Sequence, residues 1–155
     1  MIGFDEAEIV ACARSWIGTP FCHGAALRGA GADCLGVIRG VWREACGAEP
    51  VPVPPYGQDW AESGQASLLL TALSRHLIAV DPRAEAAGQV LLFQLRAGGP
   101  AKHLGIQASC GAGATFVHAY SGHGVVESAL TSPWRRRLTA RFRFPIAMRP
   151  AQERF

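Results

Sequence analysis

The chemistry this chain could perform centres on one cysteine. Cys34 stands in the stretch Gly-Ala-Asp-Cys-Leu-Gly-Val-Ile, from Gly31 to Ile38, where an apolar-periodic run that reads as a helix begins. Two histidines, His103 and His118, lie far downstream in strand-like segments. A thiol at a helix N-terminus, with distant imidazoles that only folding can bring close, is how cysteine-nucleophile hydrolases are built. The positive end of the helix dipole favours thiolate over thiol there. Such an enzyme also needs a base and a group that orients the base. His103 reads as the base. His118, on the next predicted strand, can lie beside it on one face of an antiparallel pair and fix its tautomer. The chain contains no asparagine, which removes a Cys-His-Asn arrangement and places the orienting role on His118. Backbone N–H groups at the start of the helix, that of Cys34 included, are the natural oxyanion donors. The plainer alternative is a buried cysteine and two structural strand histidines. His76, at a helix end, and His123, in a tight glycine turn, belong to that plainer class.

The elements that must position these residues fall into two halves. Asp5 and Glu8 resemble a capping box, and residues 6–17 place Ile9, Val10, Ala13, Trp16 and Ile17 on one helical face. Gly18-Thr19-Pro20 ends that helix. A glycine-rich loop, Gly24 to Gly31, leads to Asp33, a good N-cap for a second helix over 34–45 that stops at Gly47. Prolines at 50, 52, 54 and 55 predict an extended surface connector, followed by a third helix over 63–76. After Asp81-Pro82 the pattern turns to short strands at 89–95, 103–109, 114–119, 125–128 and 141–144, separated by glycine turns. Helices first and antiparallel strands after is an α+β order.

At 155 residues, about half of them hydrophobic, the chain is read as one ordered domain over 1–155 with a sizeable core. The net charge of +3 comes largely from arginines, many near the C-terminus in Pro-Trp-Arg-Arg-Arg (133–137) and at Arg141 and Arg143. That is too small and too poor in aromatics for a nucleic-acid surface, and reads as a solvated edge or a contact to an acidic partner. Five cysteines without a CxxC pair indicate neither a disulfide framework nor a zinc ribbon. Cys12 and Cys46 read as small buried residues, and Cys22 and Cys110 as loop or strand residues. A metal held near Cys22-His23 is a minor alternative, and the reading carries no metal and no cofactor. The first residues, Met-Ile-Gly-Phe-Asp-Glu, do not read as a secretory signal, and no apolar run approaches the ~18 residues of a membrane span.

The segment Trp16-Ile17-Gly18-Thr19-Pro20-Phe21, then Gly24, then Asp33-Cys34-Leu35-Gly36, resembles the signature of NlpC-type cell-wall peptidases. Gly88 to Phe93 resembles a strand of that family. His103-Leu104-Gly105-Ile106 and Phe116-Val117-His118-Ala119 resemble two more, all in the family's order over residues 9–128. The resemblance implies a papain-like fold, with N-terminal helices packed on a C-terminal antiparallel sheet or partly open barrel. It implies Cys34 as nucleophile, His103 as base and His118 as third polar residue, acting without a cofactor on an amide in the peptide stem of peptidoglycan. Asp33, Phe21, Leu35 and Gly105 are then the substrate-binding positions. Phe21 stands where the family usually has tyrosine and Leu35 where it usually has serine, so two pocket hydroxyls are lost and the scissile bond is left open.

The absence of an export signal, the Asp-Cys-Leu-Gly motif and the proline-rich run into Tyr56-Gly-Gln-Asp-Trp60 resemble the phage-tail or gene-transfer-agent branch of the family. That branch implies a protein made in the cytoplasm, built into a tail beside other tail proteins, and acting on the recipient's cell wall. Residues 129–155, with Trp134 and Arg135 to Arg137, are then the docking segment, since Trp and Arg are enriched at interface hot spots. The alternatives are a catalytically silent tail-assembly module on the same fold, and an amidase or acyltransferase with a different acyl substrate.

Overall fold

A computed structural model of the chain describes residues 5–50, 66–96 and 98–146. The order of elements is α1 (Glu6–Arg14), β1 (Ala26–Leu27), β2 (Gly31–Ala32), α2 (Cys34–Ala45), α3 (Ala66–His76), β3 (Ile78–Val80), β4 (Val90–Gln94), β5 (Ala101–Ser109), β6 (Thr115–Tyr120), β7 (Gly124–Ala129), α4 (Ser132–Arg137) and β8 (Leu138–Arg143). Asp5 caps α1 by accepting the Glu8 N–H at 2.8 Å. Helix α1 ends three residues before the expected boundary. Ser15 to Gly18 turn away, and Ile17 is exposed instead of joining the core. Trp16, also past the helix, is buried and lies against α2 at Gly40, where any Cβ would collide with its ring. Helix α2 has the predicted bounds. The expected start of α3 at Ser63 and most of the proline-rich connector lie outside the described residues.

Six antiparallel strands form one open sheet in the order β3-β8-β4-β5-β6-β7. It does not close into a barrel. Strands β4 to β7 make a meander, while β8 returns to pair between β3 and β4. The chain must therefore cross the sheet after β7, and the six-residue helix α4 lies on that crossing. Alternation along the strands divides the interior in two. Val90, Leu92, Leu104, Ile106, Val117 and Phe142 face the core shared with α1, α2 and α3. Leu91, Phe93, Ala114, Phe116 and Leu130 face the other way and pack with Trp134 and Leu138.

Buried polar groups stiffen that second face. Arg141 donates to Gln89 Oε1 (2.8 Å), Gln107 Oε1 (2.5 Å) and the Pro82 carbonyl (2.8 Å). Gln107 donates in turn to Glu85 (2.9 Å), which pairs with Arg135 on α4 at 2.9 Å. Arg141 is thus a buried structural cation, not part of a solvated basic edge. Its ionised form tolerates burial because its donors are met by acceptors.

Candidate active site

Helix α2 presents Cys34 as its first residue. Asp33, buried immediately before it, accepts the Gly36 N–H on Oδ1 and the Gly24 N–H on Oδ2, both at 2.7 Å. One carboxylate thus caps the helix and ties the preceding glycine loop to it. The loop can lie this close because residue 36 is glycine, where a Cβ would overlap the Ala25 carbonyl. Phe21, bridged to Ala32, and Leu35 are partly buried against the main core beside this turn.

His103 and Phe93 are direct partners across β4 and β5, so the imidazole stands on the sheet face that carries the second cluster. Lys102 is an extra residue at this point, a β-bulge that bends the strand beside His103. Two residues beyond His103, Gly105 leaves the space that β6 fills. A Cβ there would lie 2.7 Å from the Phe116 ring and 3.4 Å from His118 Cβ. The consequence is contact between the two imidazoles: His103 Nε2 lies 2.7 Å from His118 Nδ1. His118 Nε2 lies 2.9 Å from Ser128 Oγ on β7. The expected placement of both histidines on one face therefore holds. Gly105 provides packing space at this point.

Trp134 completes the arrangement from the crossing helix. Its ring centroid lies 5.5 Å from each imidazole and 5.1 Å from both Phe93 and Phe116. Tyr120, exposed at the end of β6, extends the aromatic surface, with its ring 5.6 Å from that of His118. Trp134 is thus a wall of the histidine site. Arg136 and Arg137 remain exposed, and residues 147–155 of the expected docking segment lie outside the described residues.

Cys34 heads a helix on the opposite side of the sheet, yet its thiol reaches the strand that carries His103. The S–H contacts the Lys102 carbonyl oxygen at 3.8 Å, and the Leu104 N–H approaches the sulfur. The thiol therefore touches the backbone on both sides of His103. The β5–β6 ladder has its last pair at Ile106 and Val117, short of this level. Among the described residues, no hydrogen bond joins the Cys34 thiol to an imidazole.

Burial dominates the electrostatics. It pushes the Cys34 thiol up to about 12, helped by the Asp33 carboxylate and opposed by the N–H groups of Leu104, Leu35 and Cys34. The expected thiolate at the helix end is thus not the resting form, because desolvation outweighs the helix terminus. Burial also lowers His103 to about 3, with His118 adding to the effect, and lowers His118 to about 4. At neutral pH the site holds a thiol and two neutral imidazoles. Among the described residues, no three histidine, cysteine or acidic side chains converge to hold a metal ion.

Helices packed on an open antiparallel sheet give this chain the papain-like architecture of solved NlpC/P60 domains. Solved structures of that class superpose on most of this chain. The NlpC/p60 domain of the peptidoglycan hydrolase SagA is 21% identical, matches 94% of this chain and 100% of its own, and gives a TM-score of 0.58. An NlpC/P60 family protein from Bacillus cereus ATCC 10987 is 18% identical, matching 92% of this chain and 41% of its own, with a TM-score of 0.64. A Staphylococcus aureus subsp. aureus Mu50 protein, described as similar to lipoprotein and of the NLP/P60 family, is 21% identical over 92% of this chain and 43% of its own, with a TM-score of 0.56. The match thus spans less than half of the Bacillus and Staphylococcus chains. No protein-family model and no curated protein sequence matches this chain.

Proposed function

We propose that this protein is a cysteine endopeptidase that hydrolyses an amide in the peptide stem of peptidoglycan. The observation that carries the reading is the 2.7 Å contact between His103 Nε2 and His118 Nδ1, on the strand whose backbone the Cys34 thiol touches. With Nε2 engaged, the other ring nitrogen of His103, Nδ1, is the one left to act as base. Cys34 Sγ attacks the amide carbonyl carbon as His103 takes the thiol proton. Since the thiol rests protonated, this is general-base-assisted attack and not capture by a standing thiolate. The carbonyl oxygen gains negative charge beside the first-turn N–H groups of α2. Collapse breaks the C–N bond, and the amine leaves with the proton held by His103. Water, deprotonated by the same imidazole, then cleaves the thioester to carboxylate and thiol.

Peptidoglycan as substrate is supported by the SagA domain, a peptidoglycan hydrolase by description, and by the motifs around Cys34, His103 and His118. Action as part of a phage-like or gene-transfer-agent tail, among other tail proteins and on a recipient's wall, is supported by the sequence resemblance of the Asp-Cys-Leu-Gly segment and the proline-rich run. A catalytically silent tail module is the second reading, favoured by a resting thiol at about 12 and by Phe21 and Leu35 where hydroxyls are usual. Digestion of purified peptidoglycan by the wild type and by Cys34→Ala, with mass spectrometry of the fragments, separates the two. Fragments released by the wild type alone establish the peptidase, and their masses name the bond. No release by either protein, in reducing buffer across neutral pH, overturns it.

A further inference from the structure

We infer that Ser128 is a positioning residue of this site, the acceptor that ends a hydrogen-bonded chain from His103 through His118 and sets the tautomer of both imidazoles. The inference rests on the peptidase reading for its consequence and on geometry for its substance. His118 Nδ1 faces His103 Nε2 at 2.7 Å, and His118 Nε2 faces Ser128 Oγ at 2.9 Å. Each contact between neutral groups needs one proton and one acceptor. Two arrangements satisfy the distances. In the first, Ser128 donates to His118 Nε2, His118 Nδ1 donates to His103 Nε2, and the proton of His103 sits on Nδ1. A base in that state has no lone pair free for the thiol. In the second, His118 Nε2–H donates to Ser128 Oγ, His103 Nε2–H donates to His118 Nδ1, and His103 Nδ1 is an open acceptor. Only the second arrangement allows His103 to take a proton from Cys34.

Register holds the serine in place. Ser128 is the direct cross-strand partner of Phe116, whose ring lies 4.2 Å from that of His118 by centroid. Val126 is the direct partner of His118, so the hydroxyl reaches the imidazole on the diagonal. A hydroxyl on this strand face is therefore sited to meet Nε2, whereas alanine would leave that nitrogen without its partner in a half-dry site.

The test is long-range 15N–1H spectroscopy of histidine-labelled protein at neutral pH, on the wild type, Ser128→Ala and Ser128→Thr, with peptidoglycan digestion in parallel. The expected wild-type spectrum shows both His103 and His118 protonated on Nε2. Ser128→Ala should turn His118 to a mixed or Nδ1-protonated form and slow hydrolysis about tenfold, the rate equivalent of one hydrogen bond. Ser128→Thr, which restores the hydroxyl on a strand-compatible residue, should restore both. A wild-type His118 protonated on Nδ1, or tautomers unchanged in Ser128→Ala, overturns the inference. If the wild type releases no fragments, the peptidase reading fails, while the spectra still decide the role of Ser128.

Discussion

Trp134 shows how one side chain sets the acidity of others. Its ring lies 5.5 Å from each imidazole, tilted to His103 and edge-on to His118, and so adds to the burial that holds both below their ordinary range. Trp134→Ala should raise both imidazole values toward the ordinary 6.5, because readmitted water favours the charged form. Trp134→Phe should keep most of the depression, and a histidine titration by NMR reads both variants. Equal values in the wild type and Trp134→Ala would remove this role. Gly105 acts by absence. Gly105→Val must displace the Phe116 ring and press on His118, so a loss of about 1–3 kcal/mol is expected in urea unfolding, together with loss of the imidazole contact. Cys34, His103 and His118 were legible in the sequence because their residue types and order carry the chemistry. The place of Trp134 beside the imidazoles was not legible, because it depends on where the chain crosses the sheet. Ser128 gave no signal at all, since a serine meets His118 only through the β6–β7 register.

Secondary-structure elements place the thiol and the imidazoles by opposite routes. The helix delivers the thiol from one side, and the strands deliver the imidazoles on the other. Asp33 is the joint of the first route, since it both caps α2 and holds the Gly24 loop. Asp33→Ala should cost about 1–2 kcal/mol for the cap, measured by urea unfolding, and Asp33→Asn should retain part of it because one oxygen remains. A variant as stable as the wild type would refute the joint. The bounds of α2 were legible because aspartate, a clean apolar period and a terminal glycine agree on them. The end of α1 was not, because Trp16 and Ile17 continue the helical period after the backbone has turned. Strand β3 has three residues and α4 has six, too short for periodicity to register. The insertion of β8 beside β4 is a tertiary choice that local pattern does not encode, and it is what brings α4 over the histidines.

The whole molecule should carry the site's electrostatics in its pH-stability curve. His103 and His118 have folded values below the ordinary 6.5, so the unfolded chain binds more protons as the medium turns acid. Their contribution is full above about 6.5 and is lost as pH falls toward about 3 to 4. Cys34 is raised above the ordinary 9.0, so its contribution is full below that value and is lost as pH rises toward about 12. The urea midpoint should therefore peak between these limits. Cys34→Ala should flatten part of the alkaline decline, the rest belonging to the buried thiol of Cys12 and the half-buried thiol of Cys46. An unchanged alkaline arm in Cys34→Ala would contradict the sign. The ion pair between Arg135 and Glu85 reaches further than its own energy suggests. It moors the helix turn that bears Trp134 to the loop before β4, and both partners are partly open to solvent. Salt screens such pairs, the Debye length falling to about 3 Å at 1 M. Ionic strength should therefore bear on the site: high salt loosens one of the tethers on the turn that carries Trp134, and the imidazole titration of Glu85→Gln at low salt should move in the same direction as that of the wild type at high salt.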